Sequence, residues 1–489
     1  MEERNPAATE LLRLCAFFAP DAIPELLLKQ TGAEYGSVLS PVAVNGYQRE
    51  KALEALRAYS LLTRDVAHRT VSVHRLVQHV VRESLDVEVQ RAWQQRVIGL
   101  MELAFPDPLE VKTWTLCEQL LPHALLSLLW VEEASLASPG IARWLDRMGY
   151  YLNHRGRYAT AFPILGMALA MREKLLGPEH PDTAQTLVNL AYNFHHQARY
   201  IEAEPLLKRA LTIQVQALGQ EQAEPALTMN ALALLLRDQG KYAEAEALYQ
   251  QALAIRERVL GPEHPETAQS LSNLAWLYRN RGRYTEARPL YERSLAIREK
   301  ALGPMHPETA TSLNGLALLY QREKHYDQAR VLYERVLQIR EQTLGPSHPH
   351  TAQSLNSLAN LYLTQGKLAQ AEPLLRRALR IREEALGGEH PDTAQTYQSL
   401  GSLTQTQGQY REAEDLYQKA LGIRKHVRGA EHPATATSLH ALGTLAKEQG
   451  RYAVAREYLQ QALAIRERTL GMEHEETRKT REILASIID

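Results

Sequence analysis

The sequence predicts an all-α protein in which stacked helix pairs form a solenoid behind a small N-terminal domain. The main observation is a glycine that recurs every 42 residues, each time ending a similar apolar segment. These glycines are Gly177, Gly219, Gly261, Gly303, Gly345, Gly387, Gly429 and Gly471. A fixed period of this length is typical of repeats that stack along one axis. Between the glycines, apolar residues follow helical spacing, which indicates helices rather than strands.

Composition excludes several classes of protein. The 489 residues exceed a single hydrophobic core, so several domains or an extended array are expected. Lys+Arg (56) and Asp+Glu (57) nearly cancel, so no overall field attracts nucleic acid or an anionic membrane. Two cysteines are too few for a disulfide framework or a zinc site. Without a signal peptide or a long apolar run, we expect a cytoplasmic protein.

Residues 1–86 do not follow the period and predict a winged-helix domain. Helices are expected after Asn5-Pro6, after Pro24, over 50–59 and over 75–85. Residues 60–65 and 70–74 flank a short polar turn, as the strands of a β-hairpin do. Helices followed by a hairpin are the order of elements in a winged helix. Residues 87–140 are then predicted to form a helical connector.

Residues 141–473 are predicted to hold eight repeats of two helices each. In one repeat, Pro265 to Arg281 carries apolar residues at helical spacing and Gly282 ends that helix. Tyr284 to Leu302 forms the return helix, and the glycine that follows ends it. The first helices are expected to start near 141, 181, 223, 265, 307, 349, 391 and 433. Residues 474–489 should form a C-terminal capping helix, which solenoids need.

Two further columns of residues recur, and neither is predicted to be a binding site. Histidines stand in most linkers, at His180, His264, His306, His348, His390, His432 and His474. Packed helices lie about 10 Å apart, whereas zinc–ligand bonds are about 2 Å, so these histidines are predicted to cap helices and no metal site is expected. Arginines recur late in the second helices and are predicted to form exposed salt bridges of little energetic value. These arginines are Arg256, Arg298, Arg340, Arg382, Arg424 and Arg466.

The repeats resemble a known family. The G-x-Y-x-x-A pattern at Gly282, Tyr284 and Ala287, with the linker LGPEHPxTA, is similar to tetratricopeptide repeats of the 42-residue kinesin-light-chain type. The resemblance implies a right-handed superhelix whose first helices line a concave groove that takes a peptide or protein. The residues that would face this groove are Tyr192, Asn230, Arg237, Gln269, Trp276, Arg279, Asn280, Asn314, Arg322, Gln353, Asn356, Asn360, Gln398 and His440.

The N-terminal domain carries a second resemblance. ALEALRAYSLLTRD at 52–65 with TVSVHRLVQHVVRESL at 70–85 resembles the winged helix of NB-ARC proteins, which are nucleotide-dependent switches of the STAND class. In that family a Met-His-Asp element contacts bound ADP, and here it corresponds to Val73, His74 and Arg75. Only the histidine is retained. Because the chain has no P-loop, it is expected to hold no cofactor, and His74 would contact ADP only beside an upstream nucleotide-binding domain.

The leading hypothesis is therefore a non-enzymatic binding module, the sensor portion of a STAND-type switch. The alternative is a free-standing tetratricopeptide scaffold or adaptor without a switching role. A winged helix can also bind DNA, but nucleic acid and membrane are not the expected partners. The arginines considered for DNA are Arg64, Arg69, Arg75 and Arg82. No constellation typical of nucleophilic catalysis stands out, and both cysteines lie on apolar helix faces.

Overall fold

The structure is a computed structural model, which describes residues 5–29, 36–109, 113–197, 199–472 and 474–487. The chain divides into two compact units. The first holds Met1–His154 with Ala159–Asn189, and the second holds Arg155–Tyr158 with Leu190–Asp489. Position 473 and positions 488–489, which belong to the predicted last repeat and capping segment, lie outside the described residues.

The N-terminal part of the first unit combines four helices with a small antiparallel sheet. The predicted hairpin is confirmed, since Thr63–Asp65 pairs with Thr70–Ser72. A further strand, Ile23–Pro24, pairs with the other edge of Thr70–Ser72 and gives the sheet order β1-β3-β2. The sequence pattern does not predict this strand or helix α2. The elements are α1 Pro6–Ala16, β1 Ile23–Pro24, a 3₁₀ turn Glu25–Leu28, α2 Gly36–Val44, α3 Gly46–Ala58, β2 Thr63–Asp65, β3 Thr70–Ser72 and α4 Arg75–Glu83.

Helices α5 (Val87–Ala104) and α6 (Trp114–Glu133) occupy the predicted connector. Aromatic contacts join them to the end of α1, because the Phe17 ring stacks on Trp93 and meets Trp130 edge-on. Both indoles and the Phe17 ring are buried, so they form part of the core of this unit. Burying large aromatic surface in this way is a major source of stability. The predicted boundaries at residues 86 and 140 stay predictions.

The eight predicted helix pairs are confirmed, and every first helix begins within two residues of the expected position. From α10 onward, consecutive helices pack against each other. The pairs are α7 Pro139–His154 with α8 Tyr158–Leu175, α9 Pro181–His196 with α10 Tyr200–Leu218, α11 Ala223–Asp238 with α12 Tyr242–Val259, α13 Pro265–Asn280 with α14 Tyr284–Leu302, α15 Pro307–Arg322 with α16 Tyr326–Thr343, α17 Pro349–Thr364 with α18 Leu368–Leu386, α19 Pro391–Thr406 with α20 Tyr410–Arg428, and α21 Pro433–Glu448 with α22 Tyr452–Leu470. Helix α23, Glu475–Ala485, follows them.

The linker phrase starts and stops helices by local hydrogen bonding. At the start of α13, Nδ1 of His264 accepts the backbone N–H of Glu266 at 3.2 Å, and Pro265 occupies the first helical position. This satisfies one of the free N–H groups at a helix N-terminus. At the end of α14, Gly303 has φ 93°, which a residue with a Cβ adopts only at a cost. The predicted capping role of the linker histidines is confirmed.

The arginine column is buried, so the prediction that it is exposed to solvent is wrong, although Arg256, Arg298 and Arg466 do form salt bridges with a glutamate of the next helix. Arg340 is 3 % exposed, and its Nη1 donates to the carbonyl of His350 and to Oγ of Ser354, both at 2.9 Å. Burial lowers the pKa of Arg340 to about 10. Each arginine therefore joins the second helix of one repeat to the first helix of the next. The members of the column are Arg172, Arg256, Arg298, Arg340, Arg382, Arg424 and Arg466.

Three linker histidines also make contacts across long stretches of the second unit, and we call these the long-range histidine contacts. Nε2 of His390, His432 and His474 faces a backbone carbonyl that lies 194 residues earlier, at 3.0, 2.7 and 3.2 Å. The accepting carbonyls belong to His196, Asp238 and Asn280. Because Nδ1 of each ring already accepts a backbone N–H, each imidazole is neutral and carries its proton on Nε2.

Candidate functional site

The predicted groove residues lie on the first helices, α9 to α21, but several are engaged inside the protein. Asn230 and Asn356 are each 5 % exposed, and Nδ2 of Asn230 donates to Oγ of Ser270 at 2.8 Å. Three glutamines accept from the buried arginine column. These glutamines are Gln269, Gln353 and Gln398. These amides help to hold the helices together, whichever ligand the groove takes.

An aromatic and cationic centre lies where α11 meets α13. The guanidinium carbon of Arg237 lies 3.8 Å from the ring centroid of Trp276, and that of Arg279 lies 5.5 Å from it. Cation–π contacts of this kind stabilise a desolvated arginine. Nε of Arg237 also donates to Asp238 at 2.8 Å, and the other carboxylate oxygen of Asp238 lies 2.8 Å from Nε2 of His195.

The charges of this centre are mutually compensating. Burial alone would raise the pKa of Asp238, but the charge of Arg237 and the hydrogen bond with His195 outweigh it and hold that pKa well below its ordinary value. Asp238 therefore stays ionised and fixes Arg237 in place over the indole. The sequence predicts Arg237 and Trp276 as two separate positions along the groove. The structure brings them together as one surface.

Among the described residues, shielded side-chain atoms without a hydrogen-bond partner lie on the successive first helices α13, α15 and α17. They are Nη1 of Arg279, Oδ1 of Asn314 and Oδ1 of Asn356. Arg279 uses its other nitrogens on Oδ1 of Asn280, with Nη2 at 2.8 Å. Because an unsatisfied buried polar atom costs free energy, such atoms mark places where a ligand can complete the hydrogen bonding.

The sequence reasoning missed a row of tyrosines on the second helices. Tyr249 and Tyr291 are 0 % and 2 % exposed, and the hydroxyl of Tyr291 has no hydrogen-bond partner in the part of the chain that the structure describes. Tyr291 lies against Gly315 of the next first helix, where an added Cβ would come within 2.2 Å of its ring. In contrast, the hydroxyl of Tyr333 donates to Gln321 at 2.9 Å. The 42-residue spacing of these tyrosines is visible in the sequence and could have indicated them.

The remaining predicted groove residues are dispersed. Tyr192 packs against His196 with ring centroids 4.2 Å apart. Asn360 accepts through its backbone carbonyl from the hydroxyl of Thr364 at 2.8 Å, and Arg322 is the last residue of α15. His440 is directed to α23, since its Nδ1 lies 3.2 Å from Oγ1 of Thr480. Burial lowers the pKa of His440 to about 4, so this imidazole is neutral near pH 7.

Helix α4 in the first unit has an inverted arrangement of polar and apolar residues. Its buried side chain is Gln78, which donates to the carbonyls of Cys15 at 2.8 Å and Phe18 at 3.0 Å. Its apolar Leu76 and Val80 are 67 % and 66 % exposed. His74 caps this helix through Nδ1 and is itself exposed. The exposed face of α4 therefore carries two apolar side chains, Leu76 and Val80, among charged and polar ones, and it begins beside the histidine that the NB-ARC resemblance singles out.

Two of the four arginines considered for DNA binding are engaged in the first unit. Arg64 donates to Glu25 at 2.5 Å and to Glu50 at 2.6 Å. Arg82 donates to the carbonyl of Ala16 at 2.7 Å. Within the described ranges, no group of His, Cys, Asp and Glu is placed to hold a metal ion. None of the helices that the structure describes is both long and apolar enough to cross a membrane.

Together, the stacked helix pairs and the polar first-helix surface define an α-solenoid repeat protein. Comparison with family models identifies the repeats themselves. Six segments match the tetratricopeptide repeat, and the chain belongs to the tetratricopeptide repeat family. The matched residues are 140–214, 224–300, 277–342, 308–384, 356–426 and 403–468. Residues 1–90 match a domain of unknown function, DUF7779.

The chain is also similar to individual proteins. A nucleotide-binding leucine-rich repeat (NLR)-like protein of Hyaloscypha variabilis is 32% identical over 184 residues, which are 37% of this chain and 17% of that protein. A putative kinesin light chain of Podosopora anserina with nearly identical repeats is 32% identical over 42% of this chain and 98% of its own (TM-score 0.34). BtubC (BKLC) of P. vanneervenii is 24% identical over 48% of this chain and 92% of its own (TM-score 0.37).

Proposed function

We propose that this chain is a protein- or peptide-binding module whose ligand lies along the first helices of the repeats. The observation that carries the proposal is the set of unpartnered atoms of Arg279, Asn314 and Asn356 on the successive first helices α13, α15 and α17, together with the contact between Arg237 and Trp276. A guanidinium N–H can donate to a ligand carbonyl or carboxylate, and the two amide oxygens can accept backbone N–H groups. Trp276 offers the large, rigid contact surface that is typical of binding hot spots.

The test is a triple variant, Trp276→Ala with Asn314→Ala and Asn356→Ala, screened against a displayed library of random peptides. We expect the peptides that enrich on the wild-type chain to lose affinity for this variant, because both the aromatic surface and the amide acceptors are removed. The matched control is Gln251→Ala with Gln460→Ala, two exposed positions on second helices. Far-UV circular dichroism checks that both variants stay folded. Equal retention of the same peptides by the triple variant and the control would refute the groove.

We further propose that the array is the sensor portion of a STAND-type switch. The exposed side chains of Leu76 and Val80 on α4 support this idea, because they offer apolar surface to a neighbouring protein domain. The similarity to an NLR-like protein, which extends over 17% of that protein, agrees with it. His74 keeps Nε2 for a ligand, since its Nδ1 is used by the helix cap. ADP would be held by the nucleotide-binding domain, and His74 would only contact it.

The second candidate is a scaffold or adaptor without a switching role. It is favoured by the extent of the repeats, which alone account for most of the chain. The DNA upstream of the codon for Met1 separates the two candidates. An in-frame P-loop sequence there supports the switch, and then His74→Ala in the longer protein should weaken ADP retention. Its absence supports the scaffold.

Two other functions receive little support from the side chains. DNA recognition would use the exposed face of α4, where the apolar side chains of Leu76 and Val80 stand beside Arg75, and Arg64 and Arg82 are engaged elsewhere. Nucleophilic catalysis by cysteine needs a thiolate. Burial raises the pKa of Cys15 to about 12 and that of Cys117 to about 11. Both thiols are therefore protonated near pH 7, which agrees with the expectation of a non-enzymatic protein.

A further inference from the structure

Two positions in the second unit depart from otherwise regular repeat columns. The residue before each recurrent glycine is leucine in every repeat except one, where it is Arg428. The leucines are Leu176, Leu218, Leu260, Leu302, Leu344, Leu386 and Leu470. The second residue of each second helix is small or polar except at Ile201, whose side chain is 87 % exposed. Residues that leave the pattern of a repeat are not required for stacking, so they are candidates for a specific role.

These two departures, 227 positions apart in the sequence, line the same cavity. The cavity has a volume of about 680 Å³, and both of its walls belong to the second unit. One wall is formed by residues 200–208 with Gln239 and Lys241, and the other by residues 428–433. The long-range contact between His432 and the carbonyl of Asp238 joins the walls at 2.7 Å. The volume is within the range of small-molecule sites.

The acidic groups of the cavity are already neutralised. Glu204 accepts from Lys208 at 2.6 Å, from Gln239 at 3.0 Å and from Lys241 at 3.1 Å. The hydrogen bond from Lys208 is the main reason why the pKa of Glu204 falls to about 2. Glu431 pairs with Arg468 of the neighbouring second helix. The carboxylates of the cavity are thus occupied by other cations and leave Arg428 without an ion pair among the described residues.

Arg428 is the cation of this cavity that none of the lining carboxylates pairs with, although the buried carboxylate of Asp392 interacts with it electrostatically. Its Nε is shielded from solvent and finds no hydrogen-bond partner among the residues that the structure describes, and the same is true of Oε1 of Gln239. Apolar surface surrounds these groups, from Ile201, Pro205 and Pro433. A guanidinium that is shielded at Nε and lies next to apolar walls favours a ligand that has one anionic group and an apolar body, because charge-assisted hydrogen bonds strengthen when water is excluded.

We propose that this cavity binds a small amphipathic carboxylate across the two walls. The carboxylate accepts from Arg428, and the apolar body of the ligand covers Ile201 and Pro205. Oε1 of Gln239 is available to accept a hydrogen bond from a ligand hydroxyl or amide. Because the ligand contacts both walls, its binding stabilises the closed arrangement that the His432 contact maintains. This site is separate from the first-helix groove and does not depend on it.

The probe for the test is 4-fluorophenylacetate, observed by ¹⁹F NMR in a titration of the full chain. A ligand with about eleven heavy atoms should bind in the millimolar range. We expect saturable binding to the wild type and at least an about tenfold loss in Arg428→Leu, which restores the leucine of the other repeats. The matched control is Arg380→Leu, an exposed arginine that does not line the cavity. It removes the same charge and should bind like the wild type.

Two further measurements keep the proposal falsifiable if Arg428→Leu unfolds. Ile201→Ala gives the residue found at four equivalent positions and should weaken the binding of 4-fluorophenylacetate while leaving the fold intact. The neutral 4-fluorophenylacetamide should bind the wild type about tenfold more weakly than the acid. Equal affinity of acid and amide, or of wild type and Arg428→Leu, would overturn the proposal, as would the absence of saturable binding. The Trp276 triple variant should bind this probe normally, so failure of one proposal is distinguishable from failure of the other.

Discussion

The long-range histidine contacts predict a stability effect that local helix capping alone would not produce. Replacing His390, His432 and His474 with asparagine keeps a side-chain acceptor for each helix N-terminus, because asparagine is a good N-cap residue. The exchange removes the Nε2 donor of each ring and therefore all three bonds to distant carbonyls. The variant isolates the long-range role of these residues from their local one.

The magnitude follows from the number of bonds lost. A neutral hydrogen bond contributes about 0.5–1.5 kcal/mol net, so three of them give about 1.5–4.5 kcal/mol of lost unfolding free energy. Stacking of the His390 ring on Tyr158 and of the His432 ring on Tyr200, with centroids 5.9 and 6.1 Å apart, adds to the loss. The assay is urea denaturation at pH 7, followed by circular dichroism, with the midpoint and slope compared between variants.

The chain supplies its own control for this experiment. His264 and His306 cap α13 and α15 through Nδ1 at 3.2 and 3.1 Å, but neither makes a long-range contact to a described residue. Replacing both with asparagine should change stability by less than about 0.5 kcal/mol per site, as is usual away from such contacts. If the two sets of variants lost the same stability per histidine, the long-range contacts would contribute nothing and our reasoning would be wrong.

Three more predictions concern stability. Burial lowers the pKa of His432 to about 4 in the folded chain, whereas the unfolded chain has an ordinary value of about 6.5. The stability that His432 contributes should therefore be fully present above about pH 6.5 and should fade as the pH falls toward about 4. The urea midpoint should drop between pH 7 and pH 5 in the wild type, and this drop should be smaller in His432→Asn. Gly401→Ala places a Cβ 2.5 Å from a tyrosine ring and should lower the unfolding free energy by about 1–3 kcal/mol. Gly422→Ala, which has open space around it, should raise the unfolding free energy by about 0.5–1 kcal/mol. Equal melting temperatures of the two variants would contradict this prediction. Arg340→Leu removes the charged donor of the buried Ser354 hydroxyl and of the His350 carbonyl, and it leaves that carbonyl with the 3.2 Å hydrogen bond from Ser354. It should lose about 2–4 kcal/mol, against less than about 0.5 kcal/mol for Arg380→Leu, and denaturant midpoints would measure the difference.

The helix boundaries were predictable because each depends on neighbours in the sequence. Tyr284 to Leu302 is predicted and observed as one helix, since a glycine and a tyrosine begin it and Gly303 ends it. The capping role of His264 follows from the same local logic. In contrast, the burial of Arg340 depends on the next repeat lying over it, which a charged residue at a helical position does not reveal.

Contacts between distant repeats could not be predicted from the sequence. Whether His432 reaches Asp238 depends on small rotations between repeats that accumulate over 194 residues, and no local pattern encodes them. The departure of Arg428 from a leucine column is visible in the sequence, but its meeting with Ile201 is not. In the first unit, strand Ile23–Pro24 is only two residues long, too short to leave an alternating pattern.

The acceptor in each long-range histidine contact is a backbone carbonyl, and this has a consequence for how such a chain can evolve. If a 42-residue repeat were inserted or deleted, the equivalent residue of another repeat would still offer a carbonyl at the same relative place, because every residue has one. The array can therefore gain or lose repeats by gene duplication while its linker histidines keep finding acceptors. The Arg428–Ile201 pair is different, because it needs two particular side chains and a fixed number of repeats between them. Stability in this chain is tolerant of repeat number, whereas a ligand site built from two distant repeats is not.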